Sequence, residues 1–259
     1  MSIARLFSTT IISCMILSGC ASLDRPRDTL FQVSTINALM AGVYDGEATV
    51  AEVSRHGDFG IGTFDALDGE MVVLDGVTYQ ITADGVAHPV PPSSRTPFCA
   101  VTFFESSLSI PVKGTMSYAA LQEYVNDRVP TKNVFYAVRI EGSFDSIKVR
   151  SVPRQERPYP PLTEVVKGQP VFTLTDVTGT LVGFVCPAYV TGINVAGWHL
   201  HFITEDKTAG GHLLDLSAHD LTVQIDETPS VSVWLPTSAD FYGIDLSGDK
   251  KNEVERVEK

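Results

Sequence analysis

The sequence predicts an α+β fold, with two β-rich parts of mixed or antiparallel sheet and few short helices. Three observations lead there. Short runs rich in Val, Ile, Thr and Tyr recur along the chain, as strands do. Gly-Asp or Asp-Gly pairs punctuate the first half, and Asp68-Gly69 and Asp75-Gly76 are hairpin signals. Only two stretches carry helical spacing.

Taken in order, residues 1–19 read as an export signal. Arg5 supplies the positive charge, and an apolar run follows that is too short to span a bilayer as a mature helix. Leu17-Ser18-Gly19-Cys20 resembles a bacterial lipobox, which makes Cys20 the expected lipidation site. A plain signal peptide cut elsewhere is the alternative. Lipidation would leave the protein exported and anchored in the cell envelope, touching the membrane only through Cys20. Residues 20–29 read as a polar tether.

Residues 35–42 hold Ile36, Leu39 and Met40 at helical spacing, with Ser34 or Thr35 as N-cap and Gly42 as the stop. Strands are expected over 48–53, 60–64, 70–74, 77–81 and 99–104. A helix is expected over 118–126, and strands over 133–142 and 147–152. Three prolines within 157–162 mark a boundary between an N-terminal part, 30–160, and a C-terminal part, 161–259. The second part continues with strands over 171–174, 179–185, 198–204, 212–219, 221–225 and 231–235. The charged tail from 245 reads, on composition, as solvated.

The formal charge of −12 argues against a nucleic-acid partner, since phosphate binding needs clustered Lys and Arg. It leaves room for a small anionic substrate, because one metal ion or one Arg can reverse the local field. Cys99 and Cys186 are 87 residues apart, and spacing alone does not say whether they meet.

Chemistry concentrates at Trp198-His199-Leu200-His201-Phe202. In a strand, residues i and i+2 face the same way, so His199 and His201 project together while the aromatic and leucine side chains turn to the core. Residues 205–211, which include Gly210-Gly211, read as a turn, after which the strand resumes at His212. If these strands pair as a hairpin, His212 lies beside His201. Three neutral imidazoles suit Zn2+ and leave coordination positions open for chemistry. Imidazole also accepts other metals. His56, His88 and His219 have no such grouping and read as surface or core residues.

The His199-x-His201…His212 pattern resembles the zinc site of the acetolactate decarboxylase family. So do the segments 57–64 (Gly-Asp-Phe-Gly-Ile-Gly-Thr-Phe), 67–70 (Leu-Asp-Gly-Glu), Asp75-Gly76 and Thr96-Pro97-Phe98. Phe31-Gln32-Val33-Ser34-Thr35 and Val43-Tyr44-Asp45-Gly46 are similar to its N-terminal part. The likeness runs from about residue 29 to the end of the chain. It implies decarboxylation of 2-acetolactate to acetoin and CO2, as in the butanediol pathway, through a zinc-stabilised enediolate, by a homodimer. It also implies two catalytic carboxylates, Glu70 and Glu258, a catalytic and substrate-binding Arg150, and a substrate-lining Thr63. On the residues alone, Arg139 and Arg154 compete with Arg150, and Glu253 and Glu255 with Glu258. Which Glu donates the proton stays open. The resemblance further implies that the tail folds back over the site. Competing readings are a cupin-like metalloenzyme, though Ile203 and Glu205 fit that pattern poorly, and a non-enzymatic envelope lipoprotein that binds zinc or a small acid.

Overall fold

The computed structural model describes residues 27–258. The expected signal, Cys20 and most of the tether lie outside the described residues. The chain opens with β1 (Thr29–Val33), α1 (Ile36–Met40), β2 (Ala48–Thr49), α2 (Val50–Val53), β3 (Phe59–Thr63), β4 (Glu70–Leu74) and β5 (Val77–Ile81). Next come β6 (Ala87–Pro89), β7 (Arg95–Thr96), β8 (Cys99–Thr102), β9 (Leu108–Val112), β10 (Met116–Ser117), α3 (Tyr118–Asn126) and β11 (Phe135–Arg150). It finishes with α4 (Leu162–Val165), β12 (Val171–Cys186), β13 (Gly197–Thr204), β14 (Gly210–Thr228), β15 (Ser230–Trp234), α5 (Ala239–Gly243) and α6 (Lys251–Glu258).

Two sheets dominate. One is a seven-stranded mixed sheet in the order β15-β1-β8-β3-β4-β5-β6. The other has six strands, and its members β11, β12, β13 and β14 close on themselves because β13 pairs with both β12 and β14. Phe144, Phe202, Leu200, Leu181 and Ile140 fill the closed sheet. A second cluster joins the sheets: Leu30, Phe59, Ile61 and Val72 from one pack against Ala137, Val182, Phe184 and Ile203 from the other. The expected α+β class of two β-rich parts with few short helices is what the chain adopts.

Local signals worked where one turn decides the backbone. Leu74 pairs with Val77 across Asp75 and Gly76, both at positive φ (52° and 78°), the geometry of a two-residue hairpin. Thr35 caps α1 by accepting from the Ala38 N–H, and Ser117 caps α3 in the same way from Ala120.

Three expectations need correction. Residues 48–53 are not one strand: Thr49 and Glu52 form a capping box that turns 50–53 into α2. The strand pairs expected at 133–142 and 147–152, at 171–174 and 179–185, and at 212–219 and 221–225 are three long strands, β11, β12 and β14. In β11 and β14 the ladder passes these interruptions through register shifts near Gly142, Asp145 and Val149, whereas β12 stays in constant register with β11. Finally, no sheet divides at 160/161. β11 and β12 pair across it, from Tyr136–Val185 to Arg150–Val171, and β15 returns to the first sheet beside β1. The prolines interrupt the local backbone, whereas pairing partners are chosen by tertiary packing. Cys99 and Cys186 are both buried free thiols.

Candidate active site

The site lies where the two sheets meet. On β13, Trp198, Leu200 and Phe202 enter the closed-sheet core, so the alternating His199 and His201 face the other way. His201 sits directly opposite His212 on β14. Arg150, the last residue of β11, is the other cross-strand partner of His212. That pairing depends on a bulge. Lys148 faces Asp215 but Val149 faces Leu213, so Leu214 is extra; in a regular ladder Val149 would face Leu214 and Arg150 would oppose Leu213. Gly211, at φ 151°, permits the approach, since a Cβ there would lie 2.5 Å from the Arg150 carbonyl oxygen.

The first sheet supplies two more residues. Glu70 starts β4 opposite Thr63 at the end of β3. The Thr63 hydroxyl donates to the Gly69 carbonyl at 2.7 Å, which fixes its rotamer. Next to Glu70, the Met71 carbonyl lies 2.8 Å from His201 Nδ1.

The chain end completes the site. Val254 and Val257 of α6 pack with Leu39, Leu67, Leu162 and Val165. Burying two valines stabilises by roughly 1.5–3 kcal/mol each, less than the roughly 1–2 kcal/mol per residue needed to order eight residues. Polar anchors therefore matter. Arg150 Nη2 donates to the Val257 carbonyl at 3.1 Å, and His212 Nε2 lies 3.2 Å from the Glu258 carbonyl. The Glu258 carboxylate, through Oε2, stands 3.3 Å from His199 Nε2, 3.8 Å from His212 Nδ1 and 3.7 Å from Arg150 Nη2. Glu253 instead pairs with Lys250, and Glu255 lines a separate cavity with Lys251. Arg139 pairs with Asp75 and Glu141, and Arg154 with Asp65 and Asp68. Of the competing residues, Arg150 and Glu258 are the ones the fold brings to the histidines.

Arg150 Nη1 also donates to Glu70 Oε1 at 3.3 Å. An ion pair lowers a carboxyl pKa. Here burial outweighs Arg150 and pushes Glu70 up to about 7, with Glu258 adding to the rise. Burial likewise raises Glu258 against the pull of Arg150. Burial, reinforced by Arg150, lowers His199 to about 3, and His201 and His212 fall well below the ordinary imidazole range for the same leading reason. All three rings are therefore neutral near pH 7 and keep a lone pair.

These groups fit a cation. The ring centroids are 5.0 to 5.2 Å apart, and one nitrogen from each ring lies within 4.8 Å of the other two. His199 Nε2 and His201 Nε2 are buried with no hydrogen-bond partner. Leaving such atoms unpaired costs about 1–3 kcal/mol each, and a metal would satisfy both. The cavity's apolar wall includes Ile36, Leu39, Leu67, Phe98, Val152 and Leu162. Sequence reading did not single out this wall or the Met71 carbonyl. Phe98 belongs to the Thr96-Pro97-Phe98 segment, but a main-chain carbonyl leaves no mark in a sequence.

The two groups of residues titrate in opposite senses in the metal-free chain. Glu70 binds its proton more tightly folded than at the ordinary 4.5. Its contribution to stability is thus present below that value and lost as pH rises through about 7. The histidines act in reverse: unfolded imidazoles take up protons below 6.5 while the buried ones do not, so stability falls as pH drops through that value. In denaturant titrations of the metal-free protein from about pH 5 to 8, Glu70→Gln is expected to flatten the loss of stability toward high pH. A wild-type slope retained by the variant would contradict this.

A trio of neutral buried imidazoles, flanked by a guanidinium and two carboxylates, makes a buried site that could hold a metal ion beside a small molecule. The family model for alpha-acetolactate decarboxylase matches residues 30–248. The chain belongs to that family. The alpha-acetolactate decarboxylase of Methanosarcina mazei is 48% identical over 90% of this chain and 81% of its own length. That of Bacillus subtilis strain 168 is 42% identical over 91% of this chain and 92% of its own. A crystal structure of the Bacillus subtilis protein superposes with a TM-score of 0.87, covering 89% of this chain and 99% of that one. The match leaves no place for a cupin-like oxygenase.

Proposed function

We propose that this chain is a lyase that decarboxylates 2-acetolactate to acetoin and CO2 at a zinc ion held by His199, His201 and His212. The relatives' shared name supports the substrate. The observation that carries the metal is the convergence of three buried imidazoles, one nitrogen of each within 4.8 Å of the other two.

When bound, zinc supplies Lewis-acid polarisation of the oxygens beside the breaking bond. The rest falls to the chain's own groups. Arg150 holds the substrate's negative charge; its Nε is buried and unpartnered, and its planar fork suits a carboxylate or a developing oxyanion. The bond to the carboxylate carbon breaks, CO2 leaves, and the electron pair passes into the neighbouring ketone as an enediolate. A protonated carboxyl, Glu70 or Glu258, then delivers a proton to the hydroxyl-bearing carbon from which CO2 departed, giving acetoin. Burial keeps both protonated at higher pH than ordinary glutamates. Thr63 has given its hydroxyl hydrogen to Gly69 O and so can only accept from a substrate hydroxyl. The apolar wall excludes water from the charge that develops.

Acetoin formation from 2-acetolactate, measured with and without a chelator, tests the reading. Activity that appears, falls with chelation and returns with zinc is expected. No acetoin under any metal condition would favour an envelope lipoprotein that only binds zinc or a small acid. We further propose that the mature protein is exported and anchored through lipidated Cys20, and that it is a homodimer. A Cys20→Ser variant should leave the membrane fraction, and sedimentation of the mature chain reads its oligomeric state.

A further inference from the structure

Two histidines are held by main-chain carbonyls through opposite ring nitrogens. His201 uses Nδ1, at 2.8 Å from Met71 O. His212 uses Nε2, at 3.2 Å from Glu258 O. A carbonyl only accepts, so each of those nitrogens carries the hydrogen and the other nitrogen of each ring keeps its lone pair. On His201 the free nitrogen is Nε2, buried and partnerless. On His212 it is Nδ1, which faces the same Glu258 oxygen that lies 3.3 Å from His199 Nε2. The Met71 carbonyl belongs to a core strand, whereas the Glu258 carbonyl belongs to the last turn of α6.

We propose that the main-chain carbonyl of Glu258 fixes His212 in its Nε2–H tautomer and so positions Nδ1 for the metal, a task separate from that of the Glu258 carboxylate. This rests on the zinc reading above. It makes the last turn of α6 a positioning element for a ligand, in the way outer partners orient metal-binding histidines elsewhere. It also links two equilibria. A docked α6 strengthens metal binding, and bound metal strengthens the docking of α6 by the same factor.

Two proteins separate the carbonyl from the carboxylate: Glu258→Gln, and a chain ending at Lys250. Both lack the carboxylate, and only the second lacks the carbonyl. In metal-free protein with 15N-labelled histidine, the wild type and Glu258→Gln should show a His212 Nε2–H that exchanges slowly with water. The shortened chain should lose it. In competition titrations, the shortened chain should bind zinc roughly 10–100-fold more weakly than Glu258→Gln. Equal zinc affinities, or a His212 Nδ1–H tautomer in the intact metal-free chain, would overturn the proposal. If the shortened chain does not fold, V254A combined with V257A loosens α6 in the full-length protein, and the same two readouts apply. An intact chain that shows the expected tautomer but binds no zinc would instead sink the zinc reading, and the positioning role with it.

Discussion

His201→Ala is expected to abolish zinc binding and acetoin formation together. His201 is 1% exposed; its cross-strand partner is His212, and His199 is two residues away on the same face. Removing it leaves two imidazoles, too few for a closed-shell cation that takes three protein ligands at a catalytic site. Loss of the metal forfeits several kcal/mol of charge stabilisation, and about 4 kcal/mol corresponds to roughly a thousandfold in rate. The substitution also frees the Met71 carbonyl and opens a cavity. Thermal unfolding of the variant should therefore accompany metal analysis and the acetoin assay. A folded, zinc-free His201→Ala protein that still makes acetoin would refute a metal-dependent mechanism.

Arg150→Ala is expected to separate the two functions: zinc still binds, though more weakly as α6 loosens, while turnover of the zinc-loaded enzyme falls by roughly 10²–10³, the usual cost of one lost donor to a developing anion. Arg150 is 3% exposed and lies between Glu70 and Glu258. Without it, both carboxylates lose the guanidinium that holds their pKa down and, in the metal-free protein, shift further toward the protonated form. The Val257 carbonyl also loses its donor, so α6 docks less firmly. Arg150→Lys is the sharper variant. It restores a charge as a single point rather than a planar fork, and is expected to recover stability more than rate. Full turnover in Arg150→Lys would show that the fork has no part in the reaction.

Much of the site was legible before any coordinates. The period-two alternation through 198–202 alone put two histidines on one face, and the turn read over 205–211 pointed to His212 as the third, although Gly210 and Gly211 themselves begin β14. Glu70, Arg150 and Glu258 were another matter. Composition could not rank Arg150 above Arg139 or Arg154, and it read the end of the chain as solvated. Family resemblance named those residues, and packing accounts for them. Arg139 and Arg154 each find acidic partners nearer the surface, while a bulge turns Arg150 toward His212.

The sequence by itself determined what depends on neighbours along the chain: the short-strand character, the Asp75-Gly76 hairpin, the cap of α1, and the shared face of His199 and His201. Tertiary structure decided which strands merged, why no sheet divides at the prolines, and how residues 63, 70, 150 and 258 meet at one cavity. The reason is physical. Backbone dihedrals and strand alternation are set within a few residues, but bulges, sheet partners and the docking of a charged terminal helix are settled by burying apolar area against distant segments, and a sequence records only half of each such contact.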